Sequence, residues 1–121
     1  GADFAYIGSP FIATAEARAD DAYKQGIVEG SAKDIVYSSL FTGIHGNYLR
    51  VSIQAAPLDP ENLPEAGPEA MNFQTATGAK AWRDIWGSGQ GIGVIDKVQP
   101  AGALVAELAA QYAAARTRIC A

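Results

Sequence analysis

Among 121 residues there are only one cysteine and one histidine, and each scarcity removes a class of chemistry. Cys120 has no internal partner for a disulfide, which suits a reducing, cytoplasmic setting. With no Cys/His ligand set, no metal centre is expected. Cationic residues are also few: nine Lys and Arg are scattered against thirteen Asp and Glu, for a formal charge of −4. No basic cluster or basic–aromatic interleaving offers an electrostatic footprint for nucleic acid. No apolar run approaches the roughly 18 residues of a membrane span, so neither a nucleic acid nor a membrane is an expected partner. Asp20, Asp21, Glu61 and Glu65 read as solvated charges, since no pair among them has a spacing that demands an acid/base or metal role. What remains is 49% apolar, the composition of an ordinary folded domain.

The stretch that organises the chain is its first eleven residues. Phe4 to Ile7 is a short run of aromatic and branched side chains, the pattern of a parallel strand covered on both faces. Gly8 then permits a sharp turn, Ser9 is placed to cap a following helix, and Pro10 suits its first position. A strand running through Gly-Ser into a helix start gathers free backbone N–H groups at one point, and anions bind at such points. Barrel and open-sheet enzymes keep their ligands at this end of a strand.

Downstream, Thr14 and Glu16 offer helix-start signals, Ala22 to Glu29 continues as a helix with Tyr23 and Ile27 on one face, and Gly30 stops it. Asp34 to Phe41 alternates, with Ile35, Tyr37 and Ser39 on one side and Val36, Ser38 and Leu40 on the other, as in an edge strand or strap. Thr42-Gly43 and His45-Gly46-Asn47 make a turn-rich loop, Tyr48 to Ala56 reads as a short helix, and Pro57 bounds it. Residues 57–77 hold four prolines and four acidic side chains and read as a surface excursion pinned by Met71 and Phe73. A helix over about 78–86 puts Trp82 and Trp86 on one face, where tryptophans are usually core. Gly87 to Gly93 has glycine at every second position, but its register and its place after a helix exclude a dinucleotide fingerprint. Pro100 opens a long helix to about Arg118, with Leu104, Leu108 and Tyr112 four apart as a docking stripe.

Gly-Ala-Asp, the apolar run and Gly8-Ser9, followed by Phe-Ile-Ala-Thr and a glutamate, resemble the last barrel strand of the nitronate monooxygenase (2-nitropropane dioxygenase) family. Ala81-Trp82-Arg83-Asp84-Ile85-Trp86-Gly87-Ser88-Gly89-Gln90-Gly91 resembles that family's Trp-x-x-Gly-Gln segment, and Phe41-Thr42-Gly43 with His45 to Arg50 lies between the two in the matching order. The resemblance implies an α/β chain that forms the C-terminal portion of an FMN-dependent TIM (β/α)8 barrel: the last strand, its helix and a mostly helical extension. A whole barrel needs about 250 residues, so the chain is expected to be a piece of a longer protein, the alternative being an independent small domain. Residues 1–30 would hold the strand, phosphate turn and following helices, residues 31–98 an extension over the barrel mouth, and residues 99–121 a docking helix.

The resemblance further implies a flavin-dependent oxidoreductase that converts alkyl nitronates and O2 to a carbonyl compound and nitrite. In it Gly8 and Ser9 take the FMN phosphate through N–H groups and a hydroxyl, Tyr6 and Ile7 flank them, and Gly89 and Gln90 lie near the flavin. Pro10 departs from the family pattern and removes one donor. His45 draws attention as a general base, but the family's catalytic histidine comes from a segment upstream of this one, so no catalytic residue is expected in this chain. Asn47 and Tyr48 are candidates for substrate contact at the mouth. The expected partners are the substrate and the remainder of the barrel or a further copy. The alternatives are an FMN-dependent enoyl-acyl-carrier-protein reductase or NAD(P)H:quinone reductase on the same barrel, or a non-enzymatic α/β interaction domain.

Overall fold

A computed structural model describes residues 3–67 and 81–120, with the backbone alone at 81 and 82. Its centre is a hairpin. The alternation after Asp34 becomes strand β1 (Ile35–Ser38), with Val36 and Ser38 buried and Tyr37 exposed, the period-2 pattern of a strand with one covered face. β1 pairs antiparallel with β2 (Gly46–Leu49), setting Ile35 opposite Leu49 and Tyr37 opposite Asn47. Gly43, at φ +79°, sits in the connection, where a left-handed backbone suits glycine. Residues expected to begin a helix at Tyr48 instead complete this strand, and helix α3 runs only over Arg50–Ala55.

The free edge of β2 is covered by a third extended segment. The Leu49 N–H donates to the Trp86 carbonyl at 2.7 Å, and the Ser88 N–H donates to the Asn47 carbonyl at 3.1 Å. Residues 86–88 follow helix α4 (Ala81–Asp84) and precede a 3₁₀ turn over Gln90–Val94. Among the other helices, α1 (Ser9–Ile12) is short, α2 (Asp21–Glu29) ends at Gly30, and α5 (Ala101–Ile119) starts after Pro100.

Two apolar clusters form the core. Val36, Phe41, Ile53, Ala56 and Ile85 join the hairpin to α3 and α4, with Leu58 and Leu63 from the proline-rich stretch packed against them. Ala13, Ile27, Leu49 and Ile92 join α1, α2, β2 and the 3₁₀ turn. Close approach explains two glycines near α2. A Cβ at Gly26 would lie 3.0 Å from Val51 Cγ1, and one at Gly30 would lie 2.6 Å from the Gly26 carbonyl oxygen, so the second position admits no side chain without backbone movement. Met71 and Phe73 lie outside the described residues, as does the Trp82 side chain.

Other expectations are corrected. Phe4 to Ile7 forms no strand: Phe4 is 94% and Tyr6 104% exposed. A parallel strand needs neighbours, and the one described sheet is an antiparallel hairpin. The last helix docks only at its start, with Leu104 buried but Tyr112 67% exposed, because the rest of α5 runs past the packed elements. No helix among the described residues is long and apolar enough to cross a membrane.

Glu16 does not start a local helix. Its carboxylate accepts the Ala101 N–H at 2.8 Å, tying the first turn of α5 to the N-terminal region. That bond holds the Glu16 carboxyl below its ordinary value, and bonds from the Ser31 hydroxyl and N–H do the same for Asp34. A carboxyl depressed in the folded state stabilises at pH values above its unfolded pKa, and that contribution is lost as the pH falls through the folded value. Stability is therefore expected to drop below about pH 4, with a shallower acid limb in Glu16→Gln. Identical acid-unfolding curves for the two proteins would refute the linkage.

Candidate functional site

The two sequence motifs that lie eighty residues apart meet in space through one hydroxyl. Ser9 Oγ accepts the Gly89 N–H at 3.0 Å and the Ser88 hydroxyl at 3.2 Å. Ser9 was expected to cap its own helix; instead Gly8 is the N-cap residue and no side-chain cap bond forms. A serine hydroxyl has two acceptor lone pairs and one proton. With both lone pairs occupied, the proton is what Ser9 has left to offer. The Gly8 and Ser9 N–H groups enter no hydrogen bond among the described residues. Gly8 is exposed, and a Cβ there would meet nothing within 4 Å. The turn thus keeps two amide donors and one hydroxyl donor, a set chemically suited to an anion such as a phosphate.

The partner segment, residues 86–90, is held from several sides. The Trp86 N–H donates to Ser52 Oγ at 3.0 Å, while that hydroxyl donates to the Leu49 carbonyl at 2.8 Å. The Trp86 ring stacks on Tyr23, with centroids 5.0 Å apart and planes 10° from parallel. The Tyr23 hydroxyl donates to the Gly87 carbonyl, and burial pushes the Tyr23 phenol above its ordinary pKa, so it stays a neutral donor. These bonds fix the backbone from which Gly89 approaches Ser9 and from which Gln90 projects. Gln90 itself is exposed, and its amide pairs reciprocally with Asn47: Gln90 Nε2 donates to Asn47 Oδ1 at 3.0 Å, and Asn47 Nδ2 to Gln90 Oε1 at 3.4 Å.

Of the residues singled out from sequence, Gly8, Ser9 and Gly89 are gathered directly, and Gln90 is brought in with its neighbours. Ile7 is 40% and Tyr6 104% exposed, adjoining the turn along the chain. His45 stacks on Tyr37 with centroids 4.8 Å apart on the exposed side of the hairpin and makes no bond to the Ser9–Gly89 cluster. Tyr48 packs edge-on against Phe41, as part of the core. Ser88 and Tyr23 were not anticipated. Ser88 had one signal, its place inside the Gly-Ser-Gly-Gln run, whereas Tyr23 read simply as an apolar helix position.

Comparison with known proteins bears on the fold and on the family. The family model for nitronate monooxygenase matches residues 1–111. Among solved structures, a FabK mutant from Thermotoga maritima superposes with a TM-score of 0.63 at 22% sequence identity, covering 93% of this chain and 35% of that one. At that identity the likeness speaks for a shared fold, and the chain spans about a third of the length of the structure it matches. A comparison with curated proteins finds no match.

Proposed function

The chain belongs to the nitronate monooxygenase family, and from that premise we propose that it is the C-terminal part of an FMN-dependent barrel oxidoreductase that converts alkyl nitronates and O2 to a carbonyl compound and nitrite. The single observation that carries the reading is the Ser9–Gly89 hydrogen bond, which unites the two segments where the family resemblance places the flavin. The donors present fit a phosphate: the Gly8 and Ser9 N–H groups and the Ser9 proton would hold it, with Gln90 near the ring. FMN, when bound, supplies the redox capacity that no side chain here provides. This chain's own residues bind and orient. Tyr23, Ser52 and Asn47 hold the 86–90 segment in place, and the turn at Gly8 fixes the anion. Proton transfer belongs, in this proposal, to the remainder of the barrel. Phe4 and Tyr6, almost fully exposed, support such a remainder as the surface that would cover them. The compartment proposed is the cytoplasm.

The test uses the full-length native product. A yellow protein that releases FMN on denaturation and forms nitrite from a nitronate under O2 is the expected result. A well-folded colourless protein with no FMN affinity would overturn the flavin reading. Immediate bleaching by anaerobic NADH, with no turnover of nitronate, would replace the nitronate with a reductase substrate.

A further inference from the structure

Asn47 lies on β2, whose backbone is bonded on both edges. It faces Tyr37 across the hairpin, and its carbonyl accepts the Ser88 N–H at 3.1 Å. Its side chain therefore starts from a fixed point. Gln90 differs, since it opens a 3₁₀ turn at the surface and carries a long side chain whose rotamer and amide orientation are free unless something holds them. What holds them is the Asn47 amide, through a donor and an acceptor at once.

The proton and lone-pair count of this pair has a consequence. A primary amide has two N–H groups and a carbonyl oxygen with two lone pairs. The reciprocal pair uses one N–H and one lone pair from each residue. On one edge the remaining Gln90 N–H lies beside the remaining lone pair of Asn47 Oδ1, the two heavy atoms being 3.0 Å apart. On the other edge the roles are exchanged. Each edge is then a donor next to an acceptor, complementary to a carboxamide or a cyclic imide. An unpaired Gln90 would present the same atoms in no fixed order.

We infer that Asn47 and Gln90 hold each other's amides as the two halves of a donor–acceptor edge that recognises the imide side of a flavin ring. The inference rests on the flavin reading above and adds to it the residue through which Gln90 is aimed. Each amide keeps its place only while the other is there to hold it, so substituting Asn47 has consequences only while Gln90 is present.

The experiment is a double-mutant cycle in the full-length protein, with FMN as the probe, reading the dissociation constant by fluorescence titration and the visible absorption band of the bound flavin. Asn47→Ala and Gln90→Ala are each expected to weaken FMN binding by about 3- to 10-fold and to shift the band. The double variant is expected to match Gln90→Ala alone. Asn47→Asp keeps the acceptor for the Gln90 N–H and loses the donor, so its band falls between wild type and Asn47→Ala. A purely structural role for Asn47 would alter the thermal midpoint and leave the band in place. Either single variant indistinguishable from wild type, or effects that simply add in the double, would overturn the inference while the flavin reading stands. Absence of FMN binding in the unsubstituted protein would overturn both.

Discussion

Ser9→Ala is expected to weaken FMN binding by about 10- to 100-fold, the range for losing a hydrogen bond to a charged group. Both partners of Ser9 Oγ are donors, so its proton has one direction left to go, toward whatever anion sits at the turn. Alanine removes that proton and also leaves the Gly89 N–H and the Ser88 hydroxyl without their acceptor. Ser9→Thr retains the hydroxyl and should bind within a few-fold of wild type, which separates loss of the donor from disturbance of the turn. Titration of the folded variants with FMN decides it. If alanine binds as tightly as serine, the phosphate is held elsewhere.

Ile53→Ala should cost about 2–5 kcal/mol of folding stability and lower the melting temperature by about 10–25 °C. Ile53 has 0% exposure and is packed among Val36, Phe41, Ala56 and Ile85, so it joins the hairpin, α3 and α4 at one point. The side chain faces no open space into which its neighbours can relax, which places the cost toward the cavity-forming end of the range. The nearby exposed Val51 is the control, since Val51→Ala on the same helix should change stability far less. Urea unfolding of both variants provides the measurement. Equal losses would mean that α3 is not anchored through Ile53.

What the residues disclose on their own, and what they withhold, divides along the range of the interactions. The alternation of Val36, Tyr37 and Ser38, the stop at Gly30 and the start after Pro100 are decided by neighbours a few residues away, and each is readable as a local pattern. The Gly8-Ser9 and Gly89-Gln90 motifs were readable too, because their residue types carry the same donors in any context. The pairing of Gly46–Leu49 is hidden because Tyr48 and Leu49 suit a helix face as well as a strand; the Trp86 carbonyl and the Ser88 N–H settle the choice from far along the chain. Glu16 carried the signal of a helix start, but the helix it serves begins at Ala101. Phe4 to Ile7 has the composition of a strand, and composition supplies no ladder partner. The stripe on α5 is covered only at its start for a related reason. Leu104, Leu108 and Tyr112 share a face by period, while burial depends on how far the neighbouring elements reach.

Three side-chain hydrogen bonds stitch the N-terminal residues to the far end of the polypeptide. Ser9 reaches Gly89 across 80 positions, Tyr23 reaches Gly87 across 64, and Glu16 reaches Ala101 across 85. Such closures exact their chain entropy before any contact repays it. During synthesis, residues 9–23 emerge well before the segments that hydrogen-bond to them are made. Tyr23 has no ring to stack on until Trp86 appears, and the Ser9 hydroxyl has no backbone N–H to accept until Gly89 does. The ribosome has to deliver Ala101 before Glu16 has anything to hold.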